Sequence, residues 1–471
     1  MALKDMVVNE LICDAPYACG CGKTHRADIG AVILNKGAVW ETGRAAEEAA
    51  ARYGPFDKKT RDVFMLADAN TYGAAGATGA AGATGAAGAQ AEESLRSRGF
   101  KINKLVLPGE KQVVPDEKTV FKVLNAIGAD DALIVAVGSG TVNDVCRYMS
   151  HKLKLPYLIV ATAPSMDGFA SVVAPLVVDN IKTSFNAVTP RAIIGDTDIL
   201  REAPDKLKAA GLGDILGKYN ALCDWKNSNA TTGEDYCPEI AEMVHAAVIN
   251  CERGAGGLPA RDETSVRLLM DALITTGIAM SFWGYSRPAS SAEHHIAHFW
   301  EMSFLFEHRE AVLHGAKVGI ASTYTARLQR MFAEAEIDYE RAIYAAKRFN
   351  FDKWAVKVTE QYRDGADEII ERERKAGYYS PENRLKRIDG IRRSRPAMIE
   401  TIKKYTPAEG RVEALLKSAG GPSRPSEVGI SDATVLNGLL YAKEIRAVNT
   451  ILQTLADLDL LESFAKEIAY G

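Results

Sequence analysis

The sequence predicts an α/β N-terminal domain with a parallel sheet, followed by an all-α C-terminal domain. Two β-rich apolar runs, residues 133–137 and 157–161, flank a segment of helical length, which is typical of a βαβ unit. After residue 200 the apolar residues recur at helical spacing over long segments. A length of 471 residues suits two or three domains. We therefore expect one domain over residues 1–200 and a second over residues 201–471.

Further elements follow from the same patterns. Residues 61–67 are expected to form a buried strand that ends before Asp68, and residues 104–107 a further short strand. Three long helices are expected over residues 266–283, 312–332 and 436–461. The apolar surface of the last of these favours a homodimer or a larger homo-oligomer.

Residues 73–90 interrupt this organisation with a repeat that reads GAAGAT, GAAGAT, GAAGAQ. Without a large apolar side chain, such a segment cannot bury enough surface to offset the entropy lost on ordering. The sequence leaves two alternatives open, a mobile insertion and an Ala-rich helical extension, and we assign it no chemistry.

Composition and charge exclude several functional classes. The net charge of −4 provides no overall field for nucleic acid, and no segment has the character of a membrane span. The basic run RLKRIDGIRRSRP is interpreted as a solvated helix face or a subunit contact. Seven cysteines without a secretory signal indicate reduced thiols in a cytoplasmic protein.

The turn after the strand at 133–137 is the first candidate for chemistry. Its glycines let backbone amides approach a phosphate, and the following helix N-terminus favours an anion. The pattern is not G-x-G-x-x-G, so it does not match the usual dinucleotide fingerprint. Asp68, at the end of an earlier strand, is a candidate acceptor for an adenosine ribose or a simple cap. The expected nucleotide-binding residues here are Gly138, Ser139, Gly140, Thr141, Asn143 and Asp144.

Histidines form the second candidate site. His294 and His298 are four residues apart, so a helix presents both on one side, whereas His295 points about 100° away. His314 follows twenty residues after His294, and Asp214 supplies a possible carboxylate. Imidazoles and a carboxylate with an open position can hold Zn²⁺ or a similar ion that polarises a carbonyl.

Two further groups of residues are weighed. Arg287 and Lys182 are candidates for binding a substrate phosphate, against the alternative of solvated surface charge. Cys13, Cys19, Cys21 and His25 lack paired C-x₂-C spacing, so a turn-rich N-terminal segment is favoured over a zinc site.

Taken together, the motifs resemble those of the iron-containing alcohol dehydrogenase and dehydroquinate synthase-like superfamily. GSGTVNDVCRY, TAPSMDGFAS, AAGLGDILGKYNALCDW, SRPASSAEHHIAH and EAVLHGAKVG follow its order and spacing. The resemblance covers nearly the whole chain and is closest to the bacterial glycerol-1-phosphate dehydrogenase branch. It implies an NAD(P)-dependent, metal-dependent oxidoreductase that interconverts dihydroxyacetone phosphate and sn-glycerol 1-phosphate by hydride transfer.

The resemblance also implies residue roles. Asp214, His294 and His314 match the metal ligands, with zinc or nickel placed ahead of iron. Thr162, Ser165 and Ser171 join the cofactor-binding set, and Asp167 lies beside the nicotinamide and the substrate. His298 or Asp167 is expected to deliver the proton, and Arg287 or Lys182 to contact the substrate phosphate.

Three alternatives stay open at this point. A glycerol or other polyol dehydrogenase would share the Asp-His-His set but act on an uncharged substrate. A non-redox cyclase of the dehydroquinate synthase type would bind NAD and metal, but SMDGFASVV stands where its S-x-G-G-K-type segment would be. A catalytically silent protein that binds a nucleotide or sugar phosphate is the third alternative.

Overall fold

A computed structural model describes residues 2–12, 16–53, 61–73, 86–109, 113–178 and 181–471. The chain divides into two units that do not follow a single boundary at residue 200. The first unit comprises Met1–Ile215, Pro238–Ser286 and Ser418–Gly421, and the second comprises Leu216–Cys237, Arg287–Lys417 and Pro422–Gly471. Two long helices downstream of residue 200 therefore belong to the first unit.

The strands all lie in the first unit. In chain order they are β1 (Tyr17–Ala18), β2 (Thr24–His25), β3 (Ala31–Asn35), β4 (Asp62–Asp68), β5 (Lys101–Leu107), β6 (Leu133–Gly138), β7 (Tyr157–Ala161), β8 (Val173–Val178), β9 (Ile181–Asn186) and β10 (Ala192–Asp196). Six of them form a parallel sheet in the order β3-β10-β7-β6-β4-β5. The pairs β1-β2 and β8-β9 are antiparallel hairpins.

The helices dominate the rest of the chain. In chain order, the helices up to residue 232 are α1 (Val8–Leu11), α2 (Thr42–Tyr53), α3 (Ala69–Tyr72), α4 (Ala87–Ser97), α5 (Glu117–Ala126), α6 (Gly140–Leu153), α7 (Thr197–Arg201) and α8 (Asp205–Thr232). The remainder are α9 (Pro238–Gly254), α10 (Glu263–Trp283), α11 (Ala292–Phe306), α12 (His314–Glu334), α13 (Tyr339–Lys347), α14 (Phe351–Tyr362), α15 (Ala366–Ala376), α16 (Pro381–Tyr405), α17 (Arg411–Ser418), α18 (Asp432–Tyr441), α19 (Ile451–Asp457) and α20 (Leu461–Tyr470).

The parallel sheet confirms the predicted α/β architecture. Every residue of β6, β7 and β10 is buried, as expected for strands covered on both faces. The predicted βαβ unit is β6-α6-β7, with Val137 paired to Val160. Because the strands are parallel, the carboxyl ends of β4, β6 and β7 meet at one edge of the sheet.

The predicted long helix over residues 436–461 is wrong. The chain there forms α18, a 3-10 turn over Ala442–Glu444, and α19, with irregular backbone between them. The carbonyl of Asn449 accepts a hydrogen bond from Arg287 at 2.8 Å, which takes that residue out of a helical ladder. Asp459 has a left-handed φ of 58° after α19 ends. Tertiary contacts therefore break an apolar pattern that is helical by spacing.

Two other expectations concern the insertion and the membrane. Most of the 73–90 repeat lies outside the described residues, and its last residues begin α4. Among the described helices, Glu263–Trp283 has the length and hydropathy of a membrane span, but 72% of that window is buried inside the protein. Such burial is typical of a core helix, and Gly277 of this helix lies against the backbone of Ala170 and Asp167.

Candidate functional site

The turn between β6 and α6 has the geometry expected of an anion-binding turn. Ser139 stands at the N-cap of α6, a helix of 14 residues, so the helix N-terminus opens at the carboxyl edge of the sheet. A Cβ at Gly138 would lie 2.7 Å from the Cβ of Val142, so the turn can close this tightly only with glycine.

The loop after β7 is tied to this turn. The Ser139 hydroxyl hydrogen-bonds the carbonyl of Ala163 at 3.1 Å and also contacts the hydroxyl of Ser165. The amide of Thr162 donates to the carbonyl of Gly138 at 3.0 Å. The structure thus brings together three of the predicted cofactor residues, Ser139, Thr162 and Ser165, at the ends of two adjacent strands.

Three other predicted cofactor residues sit beside the turn. Asn143 is fully buried, its amide nitrogen donates to the carbonyl of Gly168 at 3.4 Å, and its Oδ1 has no hydrogen-bond partner among the described residues. Asp144 pairs with the guanidinium of the fully buried Arg147 at 3.3 Å. Ser171 is buried, and its hydroxyl accepts a bond from the amide of Val173 at 3.2 Å. Asp144 and Ser171 therefore have structural partners, and their cofactor roles stay predictions.

Asp68 acts as a helix cap. It ends β4, and its Oδ1 accepts hydrogen bonds from the amides of Asn70 at 2.8 Å and Thr71 at 3.0 Å. The cap alternative weighed from the sequence is therefore present in the structure. Its position at the carboxyl end of a strand next to β6 also keeps the ribose assignment open as a prediction.

Three histidines cluster in the second unit. His294 and His298 on α11 and His314 at the start of α12 have ring centroids 5.2 to 6.2 Å apart. The spacing of four residues places the first two rings on one side of α11, as predicted. His295 points elsewhere, is 1% exposed, and its pKa lies well below the usual value because burial disfavours the charged ring.

Sequence reasoning missed Glu293, which orients His294. Nδ1 of His294 lies 2.7 Å from Oε1 of Glu293, and the same oxygen accepts a bond from the amide of Ser291 at 2.9 Å. A carboxylate at Nδ1 leaves the lone pair of His294 on Nε2, which is the usual arrangement of a metal-ligating imidazole. Neighbouring residues on a helix point in different directions, so the sequence offered no signal for this pair.

Glu301 and Lys317 are two further residues that sequence reasoning missed. Oε2 of Glu301 lies 3.6 Å from Nδ1 of His298 and 3.6 Å from Nζ of Lys317. The ligand atoms of His298, Glu301 and His314 all lie within 4.8 Å of one another. The H-x-x-E spacing of His298 and Glu301 could have indicated this contact, because residues three apart share a helix face.

Asp214 and Asp167 are brought together in the first unit. Asp214 lies on α8 and is fully buried, and its Oδ2 accepts a hydrogen bond from the backbone amide of Asp167 at 2.9 Å. Gly211, one turn earlier on α8, lies against the carbonyl of Pro164. The helix that carries Asp214 is thus packed directly on the TAPSMDG loop that carries Asp167.

Arg287 is buried in the second unit and is 2% exposed. It forms two hydrogen bonds to Glu234, at 2.8 and 3.0 Å, and it also donates to the Ser291 hydroxyl at 3.1 Å and to the carbonyl of Asn449 at 2.8 Å. These contacts favour a structural role for Arg287. They do not support the prediction that Arg287 binds the substrate phosphate, which stays a prediction. Lys182 is a residue of β9, paired with Val177.

The N-terminal cysteines also come together with histidine. Cys21 Sγ lies 3.4 Å from Nε2 of His25, and the amide of Cys21 lies 3.5 Å from Sγ of Cys19. Cys13 lies outside the described residues. Six cysteines of the described part of the chain are thiols.

Comparison with known proteins identifies relatives over most of the chain. The family model described as "Iron-containing alcohol dehydrogenase" matches residues 57–204. A glycerol-1-phosphate dehydrogenase [NAD(P)+] of Geobacillus thermodenitrificans is 30% identical over 409 residues, which is 86% of this chain and 89% of that protein. The enzyme of the same name from Geobacillus stearothermophilus is 32% identical over 451 residues, covering 94% of this chain and 96% of its own.

Solved structures agree at the level of the fold. Glycerol dehydrogenase from Schizosaccharomyces pombe superposes with a TM-score of 0.55 at 15% identity, covering 93% of this chain and 90% of that one. The six-stranded parallel sheet and the helices agree with this fold, and the sequence identity to the two Geobacillus enzymes shows the family. The chain belongs to the glycerol-1-phosphate dehydrogenase family, within the iron-containing alcohol dehydrogenases.

Proposed function

We propose that the chain interconverts dihydroxyacetone phosphate and sn-glycerol 1-phosphate, using NAD(H) or NADP(H) and one divalent metal ion. The observation that carries the proposal is the histidine cluster of α11 and α12, in which two buried or half-buried imidazoles stand 5.3 Å apart and one is oriented by Glu293. The family membership of the chain supports the same reaction, since the named relatives are glycerol-1-phosphate dehydrogenases.

We assign the metal to Asp214, His294 and His314. Gly217 on α8 packs against Glu293 and Val318, because an added Cβ there would lie 3.2 Å from the first and 2.8 Å from the second. Glu293 adjoins His294, and Val318 lies one turn after His314. Asp214 precedes Gly217 by three residues on the continuous helix α8, about 4.5 Å along its axis and on the same side.

The donor set fits a metal ion of the catalytic type. Two neutral imidazoles and one carboxylate suit zinc or nickel ahead of iron, and three protein ligands leave a coordination position for substrate. A bound ion there would polarise the substrate carbonyl as a Lewis acid. The chain's own contribution is orientation, because Glu293 holds His294 and the Asp167 amide holds the carboxylate of Asp214.

We assign the dinucleotide to the turn between β6 and α6. The amides at the start of α6 are the proposed donors to the pyrophosphate, with Ser139 at the N-cap beside them, and Asp68 is the proposed acceptor for the ribose. The full proposed set, with the loop after β7, is Asp68, Gly138, Ser139, Gly140, Thr141, Asn143, Asp144, Thr162, Ser165 and Ser171. A carboxylate at Asp68 disfavours a 2′-phosphate, so we expect NADH to be preferred over NADPH.

His298 is the proposed proton donor to the substrate oxygen. Glu301 lies beside both His298 and Lys317 in the second unit. A protonated His298 would therefore have a carboxylate next to it. Asp167 is the alternative donor, and its backbone amide bonds to Asp214, a proposed metal ligand. For the substrate phosphate we assign Lys182 ahead of Arg287, whose guanidinium has other partners.

The localisation and the oligomeric state complete the proposal. We place the enzyme in the cytoplasm, a reducing compartment in which cysteines such as the six described, which form no disulfide with one another, stay reduced. We also propose a homodimer or larger homo-oligomer, which sedimentation of the purified protein tests directly.

The reaction is tested by following NADH oxidation on addition of dihydroxyacetone phosphate. The protein is assayed before chelation, after chelation, and after restoring Zn²⁺ or Ni²⁺. Metal-dependent turnover that is absent with unphosphorylated dihydroxyacetone supports the proposal. Activity on the uncharged ketone alone would assign the chain to polyol oxidation, and NADH binding without turnover of either ketone would favour a binding protein or a cyclase.

A further inference from the structure

The N-terminal hairpin of the first unit carries sulfur and imidazole groups that the proposed reaction does not use. Strands β1 and β2 pair with Tyr17 opposite His25. Between them the amide of Cys19 donates to the carbonyl of Lys23 at 3.0 Å, and the amide of Gly22 donates to the carbonyl of Cys19 at 3.0 Å. Gly22 has a φ of 83°, which glycine adopts without strain. The turn therefore holds the C-G-C segment in a closed loop.

Three potential ligand atoms converge in this loop. The sulfur atoms of Cys19 and Cys21 and a ring nitrogen of His25 lie within 4.8 Å of one another. Sγ of Cys21 is 3.4 Å from Nε2 of His25. The backbone amide of Cys21 is directed at Sγ of Cys19, 3.5 Å away, a contact that stabilises negative charge on sulfur.

His25 is oriented as a ligand. Its Nδ1 lies 3.1 Å from the carbonyl oxygen of Phe282 at the end of α10. Because a carbonyl only accepts, Nδ1 must carry the proton, which leaves the lone pair on Nε2, the atom facing Cys21. The ring is 2% exposed and stacks on the ring of Phe282 with centroids 5.7 Å apart. This packing holds the imidazole in place before any ion binds.

The hairpin is also held against α9 of the first unit. Glu239 on α9 accepts hydrogen bonds from the amide of Gly20 at 2.9 Å and from the thiol of Cys19 at 3.3 Å.

We propose that Cys19, Cys21 and His25 bind one structural Zn²⁺ ion beside the start of α9. Two thiolates and one imidazole are ligands that zinc prefers, and the sulfur atoms distinguish this site from the Asp-His-His site. Binding converts two thiols to thiolates and releases two protons to solvent, with no change of oxidation state.

The proposed ion would stabilise the N-terminal hairpin, which is held against helices of the first unit. Residues 16–25 contact the unit through the Phe282 carbonyl, through Glu239, and through Lys23, whose Nζ lies 4.3 Å from the ring centre of Trp283. A hairpin with strands of two residues has little stability of its own. This inference does not depend on the proposed reaction, since none of its ligands belongs to the site assigned to the substrate.

The first test uses the unmodified protein. Zinc-loaded protein should contain two zinc ions per chain, and replacement of zinc by Co²⁺ should produce the ultraviolet charge-transfer absorption of cobalt–thiolate bonds. The Asp-His-His site contains no sulfur, so it cannot produce this band, and the variant C19S/C21S tests whether the cysteine cluster does. Absence of the band in cobalt-loaded protein, or a disulfide found by the loss of two hydrogens in mass, would overturn the proposal.

Variants separate the two metal sites. The double variant C19S/C21S should lose one zinc ion and the cobalt–thiolate band, whereas H294A/H314A should lose one zinc ion and keep the band. Cys251→Ser, at a buried cysteine on α9, is the matched control and should keep both metal ions. If C19S/C21S retains two zinc ions per chain, the site does not exist. If the variant C19S/C21S does not fold, the presence or absence of the cobalt–thiolate band in the unmodified protein still tests the proposal.

Discussion

Glu293 is the residue on which the geometry of the histidine cluster depends most. It is fully buried, and one of its oxygens serves both His294 and the amide of Ser291. Glu293→Ala should lower zinc affinity by about 10- to 100-fold, because the imidazole loses the acceptor that fixes its orientation. Competition titration with a coloured chelator measures the affinity.

Two other variants make this prediction specific. Glu293→Gln should lose less affinity than Glu293→Ala, since its amide oxygen can still accept from Nδ1 of His294. Glu310→Ala, at an exposed position after α11, is the control and should bind zinc as the unmodified protein does. Equal affinities for all four proteins would show that Glu293 does not orient a ligand.

Asp224 gives the second unit a predictable dependence on pH. Burial raises its pKa from 3.8 to about 6, with Glu293 adding to the rise, although Ser291 and Gln329 donate hydrogen bonds to it. Between pH 4 and 6 the unfolded chain has lost this proton while the folded protein keeps it, so stability falls as pH rises through that window. Asp224→Asn cannot titrate and should lack this contribution.

The measurement is chemical unfolding of both proteins at several values of pH. Between pH 4 and pH 7 the unfolding free energy of the unmodified protein should fall by roughly 1 to 3 kcal/mol relative to that of the Asn variant. This amount follows from the difference between the pKa of Asp224 in the unfolded chain and in the folded protein. Other groups titrate equally in both proteins and cancel in the comparison. A difference in unfolding free energy that stays constant with pH would contradict the assigned pKa.

At the scale of elements, α8 packs closely against α11 and α12 because of one glycine. A methyl group at Gly217 would stand 2.8 Å from a methyl of Val318 and 3.2 Å from the side chain of Glu293. Gly217→Ala should therefore destabilise the protein by about 1 to 3 kcal/mol, although alanine is the better helix former. Denaturant unfolding gives the value.

The control for this substitution is Gly256→Ala. Nothing lies within 4 Å of a Cβ added there, so the same chemical change meets no neighbour. It should be neutral or slightly stabilising. If Gly217→Ala is as stable as Gly256→Ala, the close approach of α8 to α11 does not limit the packing.

The elements also show what the sequence can and cannot predict. Strands at 133–137 and 157–161 were predictable because buried parallel strands are short, continuous apolar runs bounded by glycine or proline. The pair of His294 and His298 was predictable because helical spacing alone places them on one side. The break at Asn449 was not, because the carbonyl is used by Arg287, which lies 162 residues away in sequence. Glu293 was missed for a related reason, since its contact depends on side-chain rotation and not on spacing.

For the molecule as a whole, the basic run in α16 illustrates how charge is used internally. Arg384 and Arg387 both bond to the carboxylate of Asp457, which is fully buried, at distances of 2.6 to 3.3 Å. Arg395 donates to the carbonyl of Ala335 at 2.6 Å. Three of the six basic residues of the run are thus used inside the protein, whereas the sequence predicted a solvated helix face or a subunit contact.

The turn between β6 and α6 and the histidine cluster should respond separately to NADH and to zinc. A ligand that binds only the folded protein raises its unfolding free energy by about 2.7 kcal/mol at a hundred times its dissociation constant. NADH should therefore raise the melting temperature of the unmodified protein. Gly138→Val should abolish this rise, because the larger side chain collides with Val142 in the turn that holds the pyrophosphate.

Zinc separates loss of NADH binding from loss of the fold. The Gly138→Val variant should still be stabilised by zinc, whereas H294A/H314A should still be stabilised by NADH and respond less to zinc. Differential scanning fluorimetry with each ligand alone measures all four responses. If Gly138→Val keeps the full NADH response, the dinucleotide binds elsewhere than the turn between β6 and α6. If H294A/H314A keeps the full zinc response, the histidines of α11 and α12 do not hold the metal, and the proposed division of the reaction between a nucleotide turn and a histidine cluster is wrong.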